Sequence, residues 1–152
     1  MDIRYLTDDP EAIATVAKWI YEEWGHLAPG RTLETAHVKV RQSLGPGLPL
    51  TLLCYVDGAL AGTAGIDSVD MSTHPELAPW MVSVFVAPAR RRQGIATALC
   101  GRIREEFKKL GTRTAYLFTP DQERLYERLG WKTMSREEYR GETVTIMRLD
   151  LE

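Results

Sequence analysis

Apolar residues recur along this chain at two spacings, and each spacing predicts one kind of secondary structure. Alternation of apolar and polar positions is typical of β-strands, and apolar residues three or four apart are typical of amphipathic helices. Because Asp57-Gly58 separates two strand-like runs, those two strands should form a hairpin. Strands are predicted at residues 3–6, in the runs LPLTLLCYV and ALAGTAGIDSV, at 80–86, at 114–118, and on either side of Arg140-Gly141-Glu142.

Helical spacing predicts four helices. Asp9 should cap the first, with Pro10 in its first turn, and Gly25 should end it. The second should begin at Thr32, and the fourth, in QERLYERL, should close at Gly130. The apolar stripes that we expect to be buried are Ile13, Val16, Ala17, Ile20 and Trp24 in the first helix, and Leu33, Ala36, Val40 and Leu44 in the second.

The third predicted helix runs from about residue 92 to residue 110. Its apolar face holds Ile95, Leu99, Ile103, Phe107 and Leu110. Its opposite face should be a solvated run of charges without a function, made of Arg102, Glu105, Glu106, Lys108 and Lys109.

The order of these elements, β, α, α, β, β, β, α, β, α, β, β, predicts a mixed α+β fold. The unit from residue 80 to residue 118 places a helix between two strands, so these strands should pair in parallel inside a mostly antiparallel sheet. A chain of 152 residues has the length of one ordinary domain. We therefore expect residues 1–152 to fold around one core.

The composition and charge of the chain disfavour a membrane protein, a general nucleic-acid-binding protein and a metal-binding protein. No segment approaches the roughly 18 consecutive apolar residues of a membrane span, and no signal peptide precedes the first strand, so a cytoplasmic protein without membrane contact is expected. A net charge of -2 disfavours general affinity for nucleic acids. Cys54 and Cys100 are expected to be reduced core thiols, and the three scattered histidines do not suggest a metal site.

Three arginines directly precede a glycine and the third helix in the stretch ARRRQGIATAL. The first N–H groups of a helix have no partner inside it and, with the helix dipole, bind phosphate groups. Gly94 would let an anion approach the backbone, and Ala96 keeps the next turn narrow. No GxxxxGK(S/T) occurs and no GxGxxG follows a strand, which excludes the two familiar nucleotide loops. The motif alone is equally compatible with a capped helix whose basic residues face solvent.

The longer segment VFVAPARRRQGIATAL resembles the acetyl-CoA motif of the GNAT family of N-acetyltransferases, which reads Q/R-x-x-G-x-G/A after a strand that ends in V-x-P. Arg91, Gly94 and Ala96 fill the three defined positions, and Val86 and Pro88 end the strand.

A second stretch, LYERLGW, is similar to another signature of the same family, which reads roughly Y-x-x-x-G-F/W. Tyr126, Gly130 and Trp131 match it, and the two motifs stand in the expected order. The resemblance implies the GNAT fold, a mixed and mostly antiparallel sheet of about seven strands with four helices and one parallel pair of strands that splay apart.

The resemblance also implies a site for acetyl-CoA as cosubstrate. The pyrophosphate would lie on the amides that open the third helix, and the pantetheine arm would pair with the backbone of Val84 and Val86 between the splayed strands. Thr119 stands where many family members have an asparagine, and this chain has no asparagine. The residues expected at the cosubstrate are Val84, Phe85, Val86, Arg91, Arg92, Gln93, Gly94, Ile95, Ala96, Thr97, Thr119 and Tyr126.

The chemistry that the resemblance implies is transfer of an acetyl group to an amine by direct attack, without a metal. The N–H of Val84 would polarise the thioester carbonyl, and Tyr126, whose spacing alone fits a core aromatic equally well, would protonate the departing thiolate. Many family members place a glutamate where this chain has Trp80. The chain offers other candidates for a base, although each is more often a solvated surface residue. We assign Glu76 as the catalytic carboxylate. The alternatives are Asp67, His74, Glu22, Glu23 and His26.

The sequence leaves the identity of the acceptor open, as either a small amine or a peptide N-terminus. Aromatic residues beside carboxylates in the first helix suit a cationic amine. Two other classes of function compete with an enzyme. An acyl-CoA-binding sensor without turnover is disfavoured by the intact Tyr126, but the glutamate missing at Trp80 leaves it open. Nucleic-acid binding through Arg90, Arg91 and Arg92 is disfavoured by the net charge. A homodimer is neither required nor excluded.

Overall fold

The computed structural model describes residues 1–27 and 29–151, and its helices and strands follow the predicted order. Ala28 and Glu152, which belong to the predicted domain, lie outside the described residues. The strands are β1 (Asp2–Tyr5), β2 (Leu50–Val56), β3 (Ala59–Asp67), β4 (Trp80–Val86), β5 (Thr114–Thr119), β6 (Lys132–Tyr139) and β7 (Glu142–Asp150), and the helices are α1 (Ile13–Trp24), α2 (Leu33–Arg41), α3 (Ile95–Lys109) and α4 (Glu123–Arg128).

The strands form one seven-stranded sheet in the order β1-β2-β3-β4-β5-β7-β6. Neighbouring strands are antiparallel except β4 and β5, which are parallel and are in register at one pair, Trp80 with Tyr116. The N–H of Tyr116 also donates to the carbonyl of Pro79 at 3.0 Å. In the described residues no further pair joins these strands, so they diverge toward Val86. This confirms the predicted α+β class, the mixed sheet and its splayed parallel pair.

Two hairpin turns have left-handed residues at both central positions, as predicted for the first of them. Asp57 and Gly58 have φ angles of 52° and 76°, and Arg140 and Gly141 have φ angles of 52° and 86°. Left-handed residues at both central positions match the right-handed twist of the flanking strands, and Asp-Gly is a preferred pair for such a turn. Arg140 has the same conformation, although it is uncommon for a residue with a long side chain. The first turn joins β2 to β3, and the second joins β6 to β7.

Helices cover both faces of the sheet. Leu52 and Cys54 of β2 belong to the core beneath α3, whereas Leu53 and Tyr55 belong to the core beneath α1 and α2. Because successive side chains of a strand point to opposite faces, α3 must lie on the face opposite to α1 and α2. A third buried cluster lies under the loop before β4 and contains Met71, Trp80, Tyr139, Val144 and Ile146.

Helix α3 begins at Ile95 rather than near residue 92, so the predicted start is wrong. Arg92 and Gly94 have φ angles of 64° and 80°, in the left-handed region that an α-helix cannot include. The segment before Ile95 is therefore a turn. Leu110 lies beyond the last residue of α3 and is 49% exposed, which corrects its predicted burial.

The charged face of α3 is solvated as predicted except at Glu106, which is only 4% exposed. Its carboxylate accepts hydrogen bonds from the Tyr5 hydroxyl at 2.9 Å, Lys109 Nζ at 3.1 Å and Arg102 Nε at 3.2 Å. Burial by itself would raise the pKa of Glu106, but these three donors outweigh burial and hold the pKa below its usual value. The hydrogen bond from Tyr5 to Glu106 thereby connects β1 to α3.

The entries to α1 and α2 differ in part from the prediction. Asp9 does not cap a helix with its side chain; it accepts a hydrogen bond from the Tyr55 hydroxyl instead. Thr32 caps α2 as predicted. Leu33 and Leu44 are 48% and 38% exposed, because they flank the part of α2 that packs against α1.

Both cysteines are buried and free, as expected of core thiols, and they belong to the cluster beneath α3. Of the helices in residues 1–27 and 29–151, none combines the length and the apolar character that crossing a membrane requires.

Candidate active site

A cavity of about 860 Å³ lies where β4 and β5 diverge, and it is lined from both faces of the sheet. One end is formed by the start of α3, by α4 and by Thr119, and the other by α1, the loop after α1 and the turn between β6 and β7. Paired strands stand only about 4.8 Å apart, so a continuous ladder between β4 and β5 would close this passage. The splay is therefore what connects the two ends.

The turn that opens α3 presents free backbone amides to the first end of the cavity. The first hydrogen bond of the helix runs from the Ala98 N–H to the Gly94 carbonyl, so the amides of Ile95, Ala96 and Thr97 have no partner within it. Gly94 is the N-cap residue and has no side chain to cap them. A Cβ at Gly94 would meet no heavy atom within 4 Å, so the space above this turn is open to a ligand.

The three arginines before Gly94 all line the cavity but have different contacts. Arg90 forms an ion pair with Asp57 at 3.6 Å. The Nε of Arg91 donates to the Val86 carbonyl at 3.0 Å. In the described part of the chain, the side chain of Arg92 has neither a hydrogen bond nor an ion pair. All of its N–H donors are therefore available to a phosphate.

The edge of β4 inside the cavity is irregular. Ser83 has a φ angle of 57°, which is uncommon for a residue with a side chain, and the register with β3 shifts between Thr63 and Gly65. Ser83 and Val84 have no register partner on the neighbouring strands among the described residues. The irregularity leaves the backbone of Val84 lining the cavity, at the place where the sequence predicts a polarising amide.

Tyr126 of α4 lines the first end of the cavity and is 7% exposed. Burial raises the pKa of its phenol well above the usual value, and Cys100 and Asp121 raise it further. The hydroxyl has no hydrogen-bond partner in the portions of the chain that are described. A neutral phenol with a free hydroxyl can act as a hydrogen-bond donor inside the cavity.

Thr119 also lines this end, but its hydroxyl is already used as an acceptor. Its Oγ1 accepts from the Gln122 N–H at 3.0 Å and from the Asp121 N–H at 3.4 Å. Thr119 therefore shapes the turn into α4. Its O–H can still donate to one further group.

The second end of the cavity is closed by contacts between distant segments. Phe85 packs against Trp19 and Trp24 of α1, with ring centroids 5.2 and 6.3 Å apart. His26 Nε2 lies 3.2 Å from Glu142 Oε1. The Arg140 guanidinium donates to the Leu27 carbonyl at 2.9 Å, so the loop after α1 meets the turn between β6 and β7.

Asp70, in the loop before β4, is a partly buried carboxylate that lines this second end. Burial raises its pKa to about 6; Lys39 opposes the shift, Asp67 adds to it, and Arg31 and Arg140 oppose it. Sequence analysis missed this residue, because nothing in the run DSVDMS predicts which aspartate the fold turns toward a cavity.

Two of the expected site residues lie outside the cavity. Gln93 is exposed in the turn before α3, and Glu76 is exposed beside His74, with 3.1 Å between His74 Nδ1 and Glu76 Oε2. His74 Nε2 lies 2.8 Å from Glu137 on β6, and both glutamates raise the pKa of His74. The cavity does bring together Val84, Phe85, Val86, Arg91, Arg92, Gly94, Ile95, Ala96, Thr97, Thr119 and Tyr126, together with the base candidates Asp67, Glu23 and His26.

No three His, Cys, Asp or Glu residues within residues 1–27 and 29–151 are grouped so that they could hold a metal ion.

A family model described as the acetyltransferase (GNAT) family matches residues 11–131. The fold is therefore that of the acetyltransferase class. Within that class, the chain belongs to the GNAT family. No curated protein matches the sequence.

Solved structures of acetyltransferases share the fold over nearly the whole chain. An aminoglycoside 6'-N-acetyltransferase complexed with coenzyme A has a TM-score of 0.78 at 15% identity, covering 99% of this chain and 97% of its own. The yncA protein of Salmonella typhimurium with acetyl-CoA has a TM-score of 0.76 at 19% identity, with coverage of 100% and 94%. The aminoglycoside 6'-N-acetyltransferase of Enterococcus faecium has a TM-score of 0.74 at 16% identity, with coverage of 99% and 97%. At these identities the likeness shows the fold alone.

Proposed function

We propose that this protein transfers an acetyl group from acetyl-CoA to a primary amine by direct attack. The observation that carries the proposal is the open turn at Gly94, which stands at one end of a cavity that passes between β4 and β5 to a second end with its own charged residues. A coenzyme A thioester needs a phosphate site joined to a channel for its arm. Two of the relatives in fold are described with coenzyme A or acetyl-CoA bound.

The residues at the first end fit a diphosphate. The free amides of Ile95, Ala96 and Thr97 would hold it, with Arg92 supplying a positive charge. The arm would then lie along Val84 and Val86. The Val86 carbonyl already accepts from Arg91, but an oxygen with two lone pairs can accept once more. When bound, acetyl-CoA supplies an activated acyl carbon and a thiolate leaving group.

Two groups of the chain would assist the transfer. The N–H of Val84 would donate to the thioester oxygen as negative charge develops on it, and a single donor of this kind is worth about 10²–10³ in rate. Tyr126 would donate to the sulfur as the C–S bond breaks. Because its pKa is raised while a thiol has a pKa of about 8.5, full proton transfer from the phenol is uphill, and a hydrogen bond to the thiolate is the favoured role.

The attacking nitrogen must lose a proton as the new C–N bond forms. Glu76, the carboxylate that sequence analysis assigns to this task, stands outside the cavity. We propose instead that Asp70 accepts this proton through an ordered water molecule. A pKa of about 6 keeps Asp70 ionised at neutral pH and close to the value that suits a general base.

Replacing Gly94 by alanine tests the phosphate site, and Gly111→Ala is its matched control. Gly111 follows the other end of α3, has a φ angle of 74° against 80° for Gly94, and likewise has open space around an added Cβ. Both variants should lose about 1 kcal/mol of stability from the strained φ. Only Gly94→Ala should weaken coenzyme A binding in a calorimetric titration, by about tenfold or more, because only there does the methyl group meet the phosphates. Equal affinities of the two variants for coenzyme A would exclude the turn at Gly94 as the phosphate site.

Thiol release with a panel of polyamines, aminoglycosides, amino acids and short peptides tests the transfer itself. If the protein is an enzyme, the rate of thiol release should rise with the concentration of one class of amine. Tight binding of acetyl-CoA with only slow hydrolysis, unaffected by every amine, would instead support the sensor, which Trp80 in place of the family's glutamate leaves open.

A further inference from the structure

We propose that the acceptor carries an acidic group as well as its amine, and that Arg31, Lys39 and Arg140 bind this group at the second end of the cavity. The inference rests on the acetyl transfer proposed above and adds the chemical class of the substrate.

The three cations come from separate parts of the chain and meet at one place. Arg31 precedes the cap of α2, Lys39 lies on α2, and Arg140 lies in the turn between β6 and β7. All three line the cavity together with Asp67 and Asp70. Each of the three lowers the pKa of Asp70, so each is close enough for its charge to act on that carboxylate.

These cations are nevertheless not neutralised by the protein. Some basic residues of the chain form close ion pairs, as Arg148 does with Asp150 at 2.7 Å. Across residues 1–27 and 29–151, none of Arg31, Lys39 and Arg140 has a carboxylate oxygen within 4.0 Å, although Asp70 is their neighbour. Charges that surround a cavity without pairing to each other are available to a ligand.

Arg140 is held in place for such a role. One terminal nitrogen donates to the Leu27 carbonyl at 2.9 Å, and the guanidinium carbon lies 5.0 Å from the centre of the Tyr139 ring. A guanidinium has five N–H donors, so most of them stay free for a ligand. Its planar fork binds a carboxylate or a phosphate through two parallel hydrogen bonds.

The mixture of charges suits an acceptor that carries both signs of charge. A polyamine would be attracted by Glu23, Asp67, Asp70 and Glu142, the last of which already contacts His26, but it would also be repelled by the three cations at the same end. An amine with an acidic group has a partner for both sets. The cosubstrate does not account for these cations, since its phosphate site lies at the start of α3, at the other end of the cavity.

Matched pairs of acceptors test the acidic group. Thiol release is measured with each α-amino acid against its own amide, and with O-phosphoethanolamine against ethanolamine, so that a carboxylate and a phosphate are tested separately. We expect the acid-bearing member of one pair to have a kcat/KM at least about tenfold higher than its neutral partner. Which pair responds identifies the acid.

Lys39→Gln tests the residue assignment, and Lys18→Gln, an exposed lysine of α1 outside the cavity, is its control. At about pH 8, where Asp70 stays ionised even when loss of Lys39 raises its pKa, Lys39→Gln should raise KM for the acid-bearing acceptor by about tenfold, with little change in kcat, in kcat/KM for the neutral partner, or in coenzyme A affinity. It should weaken binding of that acceptor equally when the acceptor is titrated into the protein with coenzyme A present. Lys39→Glu should shift the preference toward the neutral partner.

The results separate this inference from the function on which it rests. Rapid acetylation of polyamines or aminoglycosides, unchanged in Lys39→Gln and with no preference inside the matched pairs, would leave the transferase intact and overturn the acidic acceptor. Binding of acetyl-CoA with no turnover of any amine would overturn both.

Discussion

Trp80 of β4 and Tyr116 of β5 form the parallel pair from which the two strands diverge, and their ring centroids lie 5.9 Å apart. Trp80 is fully buried, and its indole N–H donates to the Leu77 carbonyl at 2.6 Å. Many GNAT proteins place a glutamate at this position. Here the neighbours are the apolar side chains of Met71 and Ile146, so position 80 belongs to the core and offers no carboxylate to the cavity.

Trp80→Phe and Trp80→Glu should differ sharply in stability. The phenylalanine leaves the Leu77 carbonyl unpaired and should lower the free energy of unfolding by about 1–3 kcal/mol. The glutamate would place an unpaired carboxylate among apolar side chains and should cost more. Urea unfolding measures both, with the half-buried Trp19→Phe as control. Equal stability of the two variants would mean that position 80 can accept the family's carboxylate after all.

Tyr126→Phe should lower kcat at least tenfold, because the departing sulfur loses its hydrogen-bond donor. The affinity for coenzyme A should hardly change, since the proposed phosphate site is at the start of α3. Tyr116→Phe removes a hydroxyl outside the cavity and serves as control. An unaltered turnover number in Tyr126→Phe would exclude the phenol from the mechanism.

Asp70→Asn should abolish the acidic limb of the pH profile of kcat/KM, which we expect near pH 6. Glu76→Gln is the informative comparison, because Glu76 is the base assigned by sequence analysis. If Glu76→Gln removes the limb and Asp70→Asn does not, the earlier assignment is right and the choice of Asp70 is wrong.

The same substitution should stabilise the protein at neutral pH. Because burial raises the pKa of Asp70 to about 6, the folded state holds this proton more tightly than the unfolded state, and stability falls as pH rises from about 4 to about 6. Asp70→Asn should therefore raise the free energy of unfolding by about 1–3 kcal/mol at pH 8 and have little effect at pH 4. Thermal unfolding at both values measures this, with the exposed Asp8→Asn as control. A loss of stability at pH 8 would contradict the raised pKa.

Glu106→Gln should destabilise the fold, by about 2–3 kcal/mol at pH 7, because Tyr5, Arg102 and Lys109 lose a buried charged acceptor. The pKa of Glu106 is lowered by folding, so its contribution is present above the unfolded pKa and is lost as pH falls through the folded one. The difference from wild type should shrink below about pH 4.

Glu105→Gln is the matched control, since its carboxylate is exposed and pairs only with Lys108 at 3.5 Å. It should cost no more than about 0.5 kcal/mol. Similar losses in the two variants, measured by urea unfolding, would show that burial of Glu106 contributes nothing.

Two properties stay predictions: a single domain over residues 1–152 and a cytoplasmic location.

What the sequence determined by itself is the set of elements and their order. Apolar spacing predicted β4 at residues 80–86, and the structure has the same bounds. The prediction is possible because a strand with one or two buried faces has apolar residues at the buried positions of its own segment. The Asp57-Gly58 dipeptide marked its turn, since left-handed conformations restrict the choice of residue locally. The candidate phosphate motif at Gly94 was recognisable because all its residues are contiguous in the chain, although its first residues were predicted as helix.

Tertiary structure alone decided which charges are buried and which meet in the cavity. Glu106 looked like its solvated neighbours, and its burial depends on Tyr5, a residue 101 positions away. Asp70, Lys39 and Arg140 lie on three segments that converge only when the loop before β4, α2 and the turn between β6 and β7 are packed around the sheet. Periodicity reports burial along one segment, whereas the pairing of charges across segments depends on how remote segments pack, and no local pattern records it.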